Sequence, residues 1–289
     1  MKDRLSRVSG LKFYALLLAA LLGGASQAAA QKMKAEDVVA KHLEALGKAE
    51  LRAPTRTRAA SGGISVLLRN SAGGGRPEGQ SLIASEGVKL LYITEFKQAD
   101  YPFERMGFDG KKVTVRQFRP GRRTAFGEFV LSHEVLFKEG LIGGALSSAW
   151  PLLNLAERGA KLGYDGTAKV NGREAHKPSY KPKKGSDLKV KLFFDAETFQ
   201  HVRSEYDRVV AATMGPVPGS SAGRIDTRYR LVEDFGEFKD EKGLMLPHTY
   251  KVEYQVTSEI GPVLVDWLFH LNNFTFDQPI DPMLFDTER

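Results

Sequence analysis

The chain has 289 residues, a formal net charge of +7 and no cysteine. Without cysteine there can be no disulfide, thiolate nucleophile or thiolate metal site, so the fold rests on a hydrophobic core, for which the length is ample. The basic residues are dispersed, with one short cluster at Lys181, Lys183 and Lys184, unlike the dense, aromatic-interleaved footprint of a nucleic-acid binder.

Met1 to Ala30 reads as a cleavable signal peptide rather than as structure. Lys2, Arg4, Arg7 and Lys12 make a basic start, Phe13 to Leu22 is an uncharged apolar run, and Ala28-Ala29-Ala30 offers an A-x-A cleavage site before Gln31. The apolar run is about half of the ~20 residues that span a bilayer. Removing this leader, with its four basic residues and one acidic one, leaves a net +4. The expected product is a single exported domain, 31–289, in a bacterial periplasm. Lacking a cysteine at the junction, it carries no lipid-modified N-terminus.

Ala35 to Leu46 predicts an amphipathic helix with Val38, Val39, Leu43 and Leu46 as its apolar stripe and Gly47 as its stop. His42 lies beside that stripe, where a surface or boundary position is expected. Thr55 to Asn70 predicts the first strand, with Ile64, Val66 and Leu68 alternating with polar residues. Ser71 to Pro77 is a loop and not a phosphate cradle, since no Gly-Lys-Ser/Thr opens a helix after it. Ser81 to Glu86 and Lys89 to Phe96 are strands broken at Gly87. Asp109-Gly110 and Pro120-Gly121 signal turns around a strand at Val113 and Val115.

At Glu128 the two-residue period is lost, and Leu141 to Leu155 carries no charge. Phe129 to Lys138 predicts a helix, with Ser132 as a capping residue and Gly140 as a stop. Leu141 to Trp150 predicts a second short helix ended by Pro151. A helix apolar on most sides must be buried or must cover something apolar. The stretch from about 128 to 158 therefore reads either as a loosely held lid over a hydrophobic cavity or as an ordinary core element.

Tyr164 to Asp207 is the clearest part of the chain: strand, Asn171-Gly172 hairpin turn, strand, Lys-Gly loop, strand, Asp195 to Thr198 turn, strand. Leu188, Val190, Leu192 and Phe194 fall on one face with lysines between them. Ala211 to Gly223 is a flexible loop by composition. Three further strands follow: Ile225 to Leu231; His248, Tyr250, Val252, Tyr254 and Val256 on one face; and Val263, Val265, Trp267, Phe269 and Leu271 on one face. Asp281 to Phe285 closes the chain as a turn that tucks Leu284 and Phe285 under the sheet. Nine to eleven strands joined by hairpin-length turns, with two helical patches, give an α+β class with an antiparallel meander.

No sequence motif for catalysis or for a cofactor is found. There is no G-x-S-x-G elbow, and His133-Glu134 begins a zinc-helix pattern that lacks a histidine at the fourth position after His133. His133, His176, His201 and His270 lie far apart. The acidic pairs Glu233-Asp234 and Asp240-Glu241 read as strand ends and turns.

The helix at Ala35, the Leu-Gly-rich insertion, the block VNGREAHKPSYKPKKGSDLKVKLFFDAETFQHVRSEYD and the closing IDPMLF resemble the outer-membrane lipoprotein-sorting protein superfamily, the periplasmic lipoprotein carriers and their relatives. The resemblance implies an unclosed antiparallel β-barrel, a half-barrel, wrapped around a few helices, with an apolar cavity for acyl chains. It also implies an early-strand arginine that holds the lid shut. Arg56, Arg58 and Arg69 are all placed early enough.

The reading that follows is a non-enzymatic periplasmic binding or carrier protein for a lipid, acyl chain or lipoprotein, without a cofactor or metal and with only transient membrane-surface contact. Phe137, Leu141, Leu146, Trp150 and Leu152 are the expected lid residues, and Tyr250, Val252, Tyr254, Trp267 and Phe269 the expected cavity wall. Two alternatives stand beside it: an envelope-stress sensor that regulates an envelope protein partner on the same fold, and a hydrolase with a spatially assembled site.

Overall fold

The computed structural model describes residues 33–53, 56–69, 76–98, 101, 103–117, 123–212, 225–259 and 261–288. The expected signal peptide, 1–30, residues 71–75 of the first loop, the expected Pro120-Gly121 turn and all but the first two residues of the Ala211 to Gly223 loop lie outside them.

The described residues form twelve strands in two meanders. The first comprises β1 (Thr57–Leu68), β2 (Glu78–Glu86), β3 (Lys89–Phe96), β4 (Glu104–Phe108) and β5 (Val113–Gln117). The second comprises β6 (Lys161–Val170), β7 (Arg173–Lys181), β8 (Lys189–Asp195), β9 (His201–Val210), β10 (Thr227–Glu241), β11 (Leu244–Thr257) and β12 (Val263–Phe276). Antiparallel pairing of β1 with β12 joins them into one sheet, ordered β5-β4-β3-β2-β1-β12-β11-β10-β9-β8-β7-β6. β5 and β6 stay unpaired edges, so the sheet is a half-barrel that does not close. Strand twist curls a sheet this wide and gives it a concave face.

That topology decides what fills the interior. The chain leaves the sheet at one edge, β5, and re-enters at the other, β6, so the connection must cross between them. It does so as the apolar 123–160 stretch. Burial along the strands follows the two-residue period, as in β1, where Arg58, Ala60, Gly62, Ile64 and Val66 are buried and their neighbours are not. Leu67 and Leu68 at its end are exposed. β4, five residues with no clear alternation, has Glu104, Met106, Gly107 and Phe108 all buried.

The turns form as their residues dictate. Asn171 and Gly172 take φ of 50° and 84°, the two positive values of a tight hairpin turn. Asp195 Oδ1 accepts the backbone N–H groups of Glu197 and Thr198 at 3.1 and 2.9 Å, closing the β8–β9 turn.

The first helix, α1, spans Ala35–Leu46 and packs on β6, β7 and β11. Its buried residues are Ala35, Val38, Val39, His42 and Leu46, while Leu43 is only half-buried. His42 is thus a core residue and not a surface one. It sits four and three positions after Val38 and Val39, on the same buried side of the helix. Its Nδ1 donates to the Phe199 carbonyl at 3.0 Å. A four-residue helix, α2 (Ala49–Arg52), follows.

At the end of the chain, a 3-10 turn at Pro282–Phe285 is capped by Asp281 and buries Phe285 against Ala84 and Leu91 on the outer side of β2 and β3. Leu284 is not tucked in with it: it is 37% exposed, because the one-turn helix presents only one apolar residue to the sheet. Among the described residues, no helix is long and apolar enough to cross a membrane.

Candidate functional site

The concave face and the stretch that fills it make the candidate site. Thr124 opens the stretch. Its Oγ1 accepts Gly127 N–H at 3.0 Å, while its own N–H and hydroxyl donate to buried Glu104 on β4, both at 2.5 Å. This cap starts α3 (Ala125–Ser132), which precedes the expected helix start by four residues. Ser132 ends α3 rather than capping a new helix, and α4 (Val135–Lys138) follows after one break.

Leu141 to Trp150 does not form the expected second helix. Gly140, Gly143 and Gly144 take φ of 68°, 81° and 50°, and only a 3-10 turn at Gly144–Leu146 interrupts the coil. Pro151 does not end a helix but begins a 3-10 turn, Pro151–Asn154, followed by the short α5 (Leu155–Arg158). Glycine is needed at 140: a Cβ there would lie 2.1 Å from the Ala149 carbonyl oxygen. Gly140→Ala should lower stability by about 2 kcal/mol or more through positive φ and this clash, as read by urea unfolding. A variant indistinguishable from wild type would show that the stretch relaxes freely.

All five expected lid residues, Phe137, Leu141, Leu146, Trp150 and Leu152, are buried, with at most 1% of any of them exposed. The expected wall residues Tyr250, Val252, Tyr254, Trp267 and Phe269 are buried as well. The stretch is therefore seated in the interior as a plug and does not lie loosely over it. The ring contacts across this boundary are made in part by residues that were not singled out from sequence. Phe126 meets Trp267 at 5.5 Å and Phe129 meets Tyr254 at 5.2 Å between ring centroids, while Phe137 meets Tyr92 of β3 at 5.6 Å. Trp150 stacks on His201 of β9 at 4.9 Å.

A few polar ties hold the plug to the sheet. Buried Glu233 accepts Gly143 N–H at 2.8 Å, the Tyr206 hydroxyl at 2.7 Å and the Tyr250 hydroxyl at 2.5 Å. The Tyr206 hydroxyl also reaches the Leu141 carbonyl at 3.0 Å. Ser148 donates through its N–H and its hydroxyl to Ser85 Oγ on β2, at 2.8 and 3.0 Å. Arg58 donates to the Ala145 carbonyl.

Of the three early arginines, Arg58 is the one bonded to the plug. Arg56 pairs with Asp277, and Arg69 with Asp266 and Glu253. Burial lowers the Arg58 guanidinium to about 10, still cationic at neutral pH. Burial also raises Glu233 to about 7, against the pull of its tyrosine and backbone donors. Glu233-Asp234 is therefore not a strand end. It lies inside β10, with Glu233 facing the plug and Asp234 paired outward with Arg203 at 2.7 Å, and alternation alone separates the two roles.

A small cavity of about 10 Å³ remains beside the plug, lined by His42, Leu46, Ala145, His201, Phe235 and Pro247 among others. It is about the size of one water and far too small for an acyl chain. Burial lowers His42 to about 4 and His201 well below the usual histidine range, so both are neutral at pH 7. His42 Nε2 and His201 Nδ1 have no hydrogen-bond partner among the described residues.

His201 Nε2 lies 3.0 Å from Ser204 Oγ, but both residues are buried and no carboxylate orients the ring through Nδ1. This pair does not make a hydrolase triad, which needs an orienting group and access for substrate. His133, His176 and His270 do not join it. His133 donates to Phe129 at 2.9 Å, His176 pairs with Tyr164 at 2.9 Å, and His270 is exposed. Among the described residues, no three metal-ligating side chains converge.

No family model matches this chain, and no curated protein sequence matches it. Solved structures similar to it include a LolA superfamily protein from Nitrosomonas europaea, 12% identical over 89% of this chain and 99% of that one, with a TM-score of 0.46. An outer membrane lipoprotein-sorting protein domain from Vibrio parahaemolyticus is 11% identical over 88% and 97%, with a TM-score of 0.41. The MucA/MucB complex of Pseudomonas aeruginosa matches at 10% identity over 83% and 99%, with a TM-score of 0.22. Likenesses this distant carry no weight for function. The fold, an unclosed antiparallel sheet around a few helices, is the one implied by the resemblance in the sequence.

Proposed function

We propose that this is a periplasmic binding protein whose plug, residues 123–160, leaves the concave face to admit an acyl chain or lipidated ligand. The observation that supports it most is the way the plug is held. The stretch fills the half-barrel, its central part, 139–150, holds only a one-turn 3-10 helix, and that part is tied down by the small set of bonds from Arg58, Ser85, Tyr206 and Glu233.

Displacing the plug, including Phe126 and Phe129 where they cover Trp267 and Tyr254, would expose Tyr250, Val252, Tyr254, Trp267 and Phe269 as a continuous apolar wall. An acyl chain could replace the plug's contacts there at roughly 0.8 kcal/mol per methylene before ordering costs. Affinity would come from apolar area, which fits a chain with no catalytic or cofactor motif. In this reading Arg58 is the latch that the resemblance implies, through its bond to Ala145.

Native mass spectrometry with organic extraction, on protein purified from a periplasmic fraction, tests the proposal. Co-purifying phospholipid or acyl species, lost in Trp150→Asp or Leu146→Asp variants that remain folded, is the expected result. A protein that emerges empty and also fails to take up a fluorescent fatty acid would overturn it. The plug would then be permanent core.

A further inference from the structure

The exposed apolar residues are not scattered. Nine large hydrophobic side chains are notably exposed among the described residues, and six of them, Leu67, Leu68, Val209, Val210, Ile225 and Val263, are between 40% and 49% exposed. These six sit at strand ends, and the registers put those ends on one side of the sheet. Leu68 pairs with Val265, Val263 with Val256, Arg228 with Thr257, and Thr227 with Val210. Leu67 and Leu68 end β1, Val263 begins β12, Ile225 precedes β10 by two residues, and Val209 and Val210 end β9. At roughly 4.8 Å per strand, β1 to β9 covers about 19 Å of rim.

The same rim continues into a basic stretch. Lys189 pairs with Asp207 in register, Tyr180 with Val190, and Lys161 with Lys181, which places Lys161, Lys181 and Lys189 at the same end of β6, β7 and β8. Lys183 and Lys184 lie in the loop between β7 and β8. All five lysines are exposed, and none makes an ion pair among the described residues. Of the acidic groups on this rim, Asp187 is paired with Arg208 at 2.6 Å, Asp207 and Asp226 lie in a groove shared with Arg228 and Arg230, and exposed Glu259 lies in the β11–β12 turn.

We infer that this rim is a membrane-docking surface for a bilayer containing anionic phospholipid. Aliphatic side chains at strand ends can enter the headgroup boundary, and the flanking lysines meet phosphate charge of opposite sign. A protein partner fits less well. Protein interfaces favour aromatic anchors and arginine, with lysine depleted, whereas the exposed apolar residues here are aliphatic, the basic cluster is lysine, and Arg69, Arg208 and Arg230 are held by carboxylates. The inference concerns the outside of the half-barrel and does not depend on what the interior binds.

Vesicle flotation tests it, comparing phosphatidylcholine with phosphatidylcholine mixed with phosphatidylglycerol, on protein purified after export. The wild type should float with the anionic vesicles and release as salt rises. K181A/K183A/K184A should weaken binding by about a hundredfold. L67S/L68S/V263S should weaken it on both vesicle types while the unfolding midpoint stays within a few degrees, since these side chains are exposed. Failure of the wild type to float with anionic vesicles, or undiminished flotation of both variants, overturns the inference. Crosslinking of the rim to an envelope protein without any vesicle binding overturns it too.

Discussion

Replacing Glu233 by leucine should cost roughly 3–6 kcal/mol of stability. Three buried donors, Gly143 N–H and the hydroxyls of Tyr206 and Tyr250, converge on this carboxylate. Leucine leaves all three without that acceptor, at about 1–3 kcal/mol for each unsatisfied group. Tyr206 retains its contact with the Leu141 carbonyl, which keeps the total below the upper limit. For a domain of this size, the unfolding midpoint should fall by about 10 °C or more. Glu233→Gln preserves the shape and one acceptor oxygen, so its cost should be about half. An E233L protein within 1 kcal/mol of wild type in urea unfolding would show that the plug does not depend on this hub.

The two variants also separate the pH behaviour of the interior. Glu233 is raised to about 7 in the folded protein by burial, from an ordinary value of 4.5. The folded state therefore holds this proton more tightly than the unfolded one. Its favourable contribution is full below pH 4.5 and is lost as pH rises towards 7, by roughly 3 kcal/mol. His42 runs the other way. It is lowered from 6.5 to about 4 by burial, so its contribution is full above 6.5 and is lost as pH falls towards 4, again by roughly 3 kcal/mol. The two slopes oppose each other across nearly one window. E233Q removes the first slope, so its stability should fall on acidification from pH 7 to 4.5 relative to wild type. Parallel pH profiles for the two proteins would show that Glu233 does not titrate in that window.

The second large effect is expected at Trp150. It is fully buried, stacks on His201 and lies over the interior near the small cavity lined by His42 and His201. Trp150→Ala should cost about 3–5 kcal/mol through lost transfer energy and the void left behind. In a plain core nothing else follows. In a binding protein, the void joins the space an acyl chain would occupy, and a fluorescent medium-chain fatty acid should bind W150A more tightly than wild type and restore part of its midpoint. Destabilisation without any uptake would count against an acyl-binding interior.

Most of the architecture was legible in the sequence because hairpins are local. Asn171-Gly172, Asp195 and the alternation in β8 to β12 specify turn, register and buried face within a few residues. β4 was harder: Glu104, Gly107 and Phe108 are buried together because α3, α4 and the C-terminal turn pack around that edge, and no short-range pattern records this. Helical periodicity placed α1 to the residue but put His42 on the wrong side of a boundary, since a histidine scores as polar whether or not a carbonyl awaits it.

The plug was recognised as apolar and distinct, and the expected residues of both sides are buried there. Its conformation differs from the expected helix because Gly140, Gly143 and Gly144 take positive φ, packed so closely beneath Ala149, Tyr92 and His201 that a Cβ would clash there. Arg58 could not be told from Arg56 and Arg69 by position. What separates them is the partner each finds, two at carboxylates and one at the plug. Glu233 was concealed by Asp234 beside it, since an acidic pair looks like a turn unless one knows which residue faces inward.

The most direct measurement uses the absence of cysteine. Ser85 on β2 and Ser148 in the plug have hydroxyls 3.0 Å apart, so S85C/S148C should form the protein's one disulfide and pin the plug to the sheet. Uptake of a fluorescent fatty acid would be measured on the oxidised and the reduced forms of this variant. If the plug must leave for a ligand to enter, the reduced protein takes up the probe and the oxidised protein does not. Equal uptake by both forms would contradict the displaceable plug.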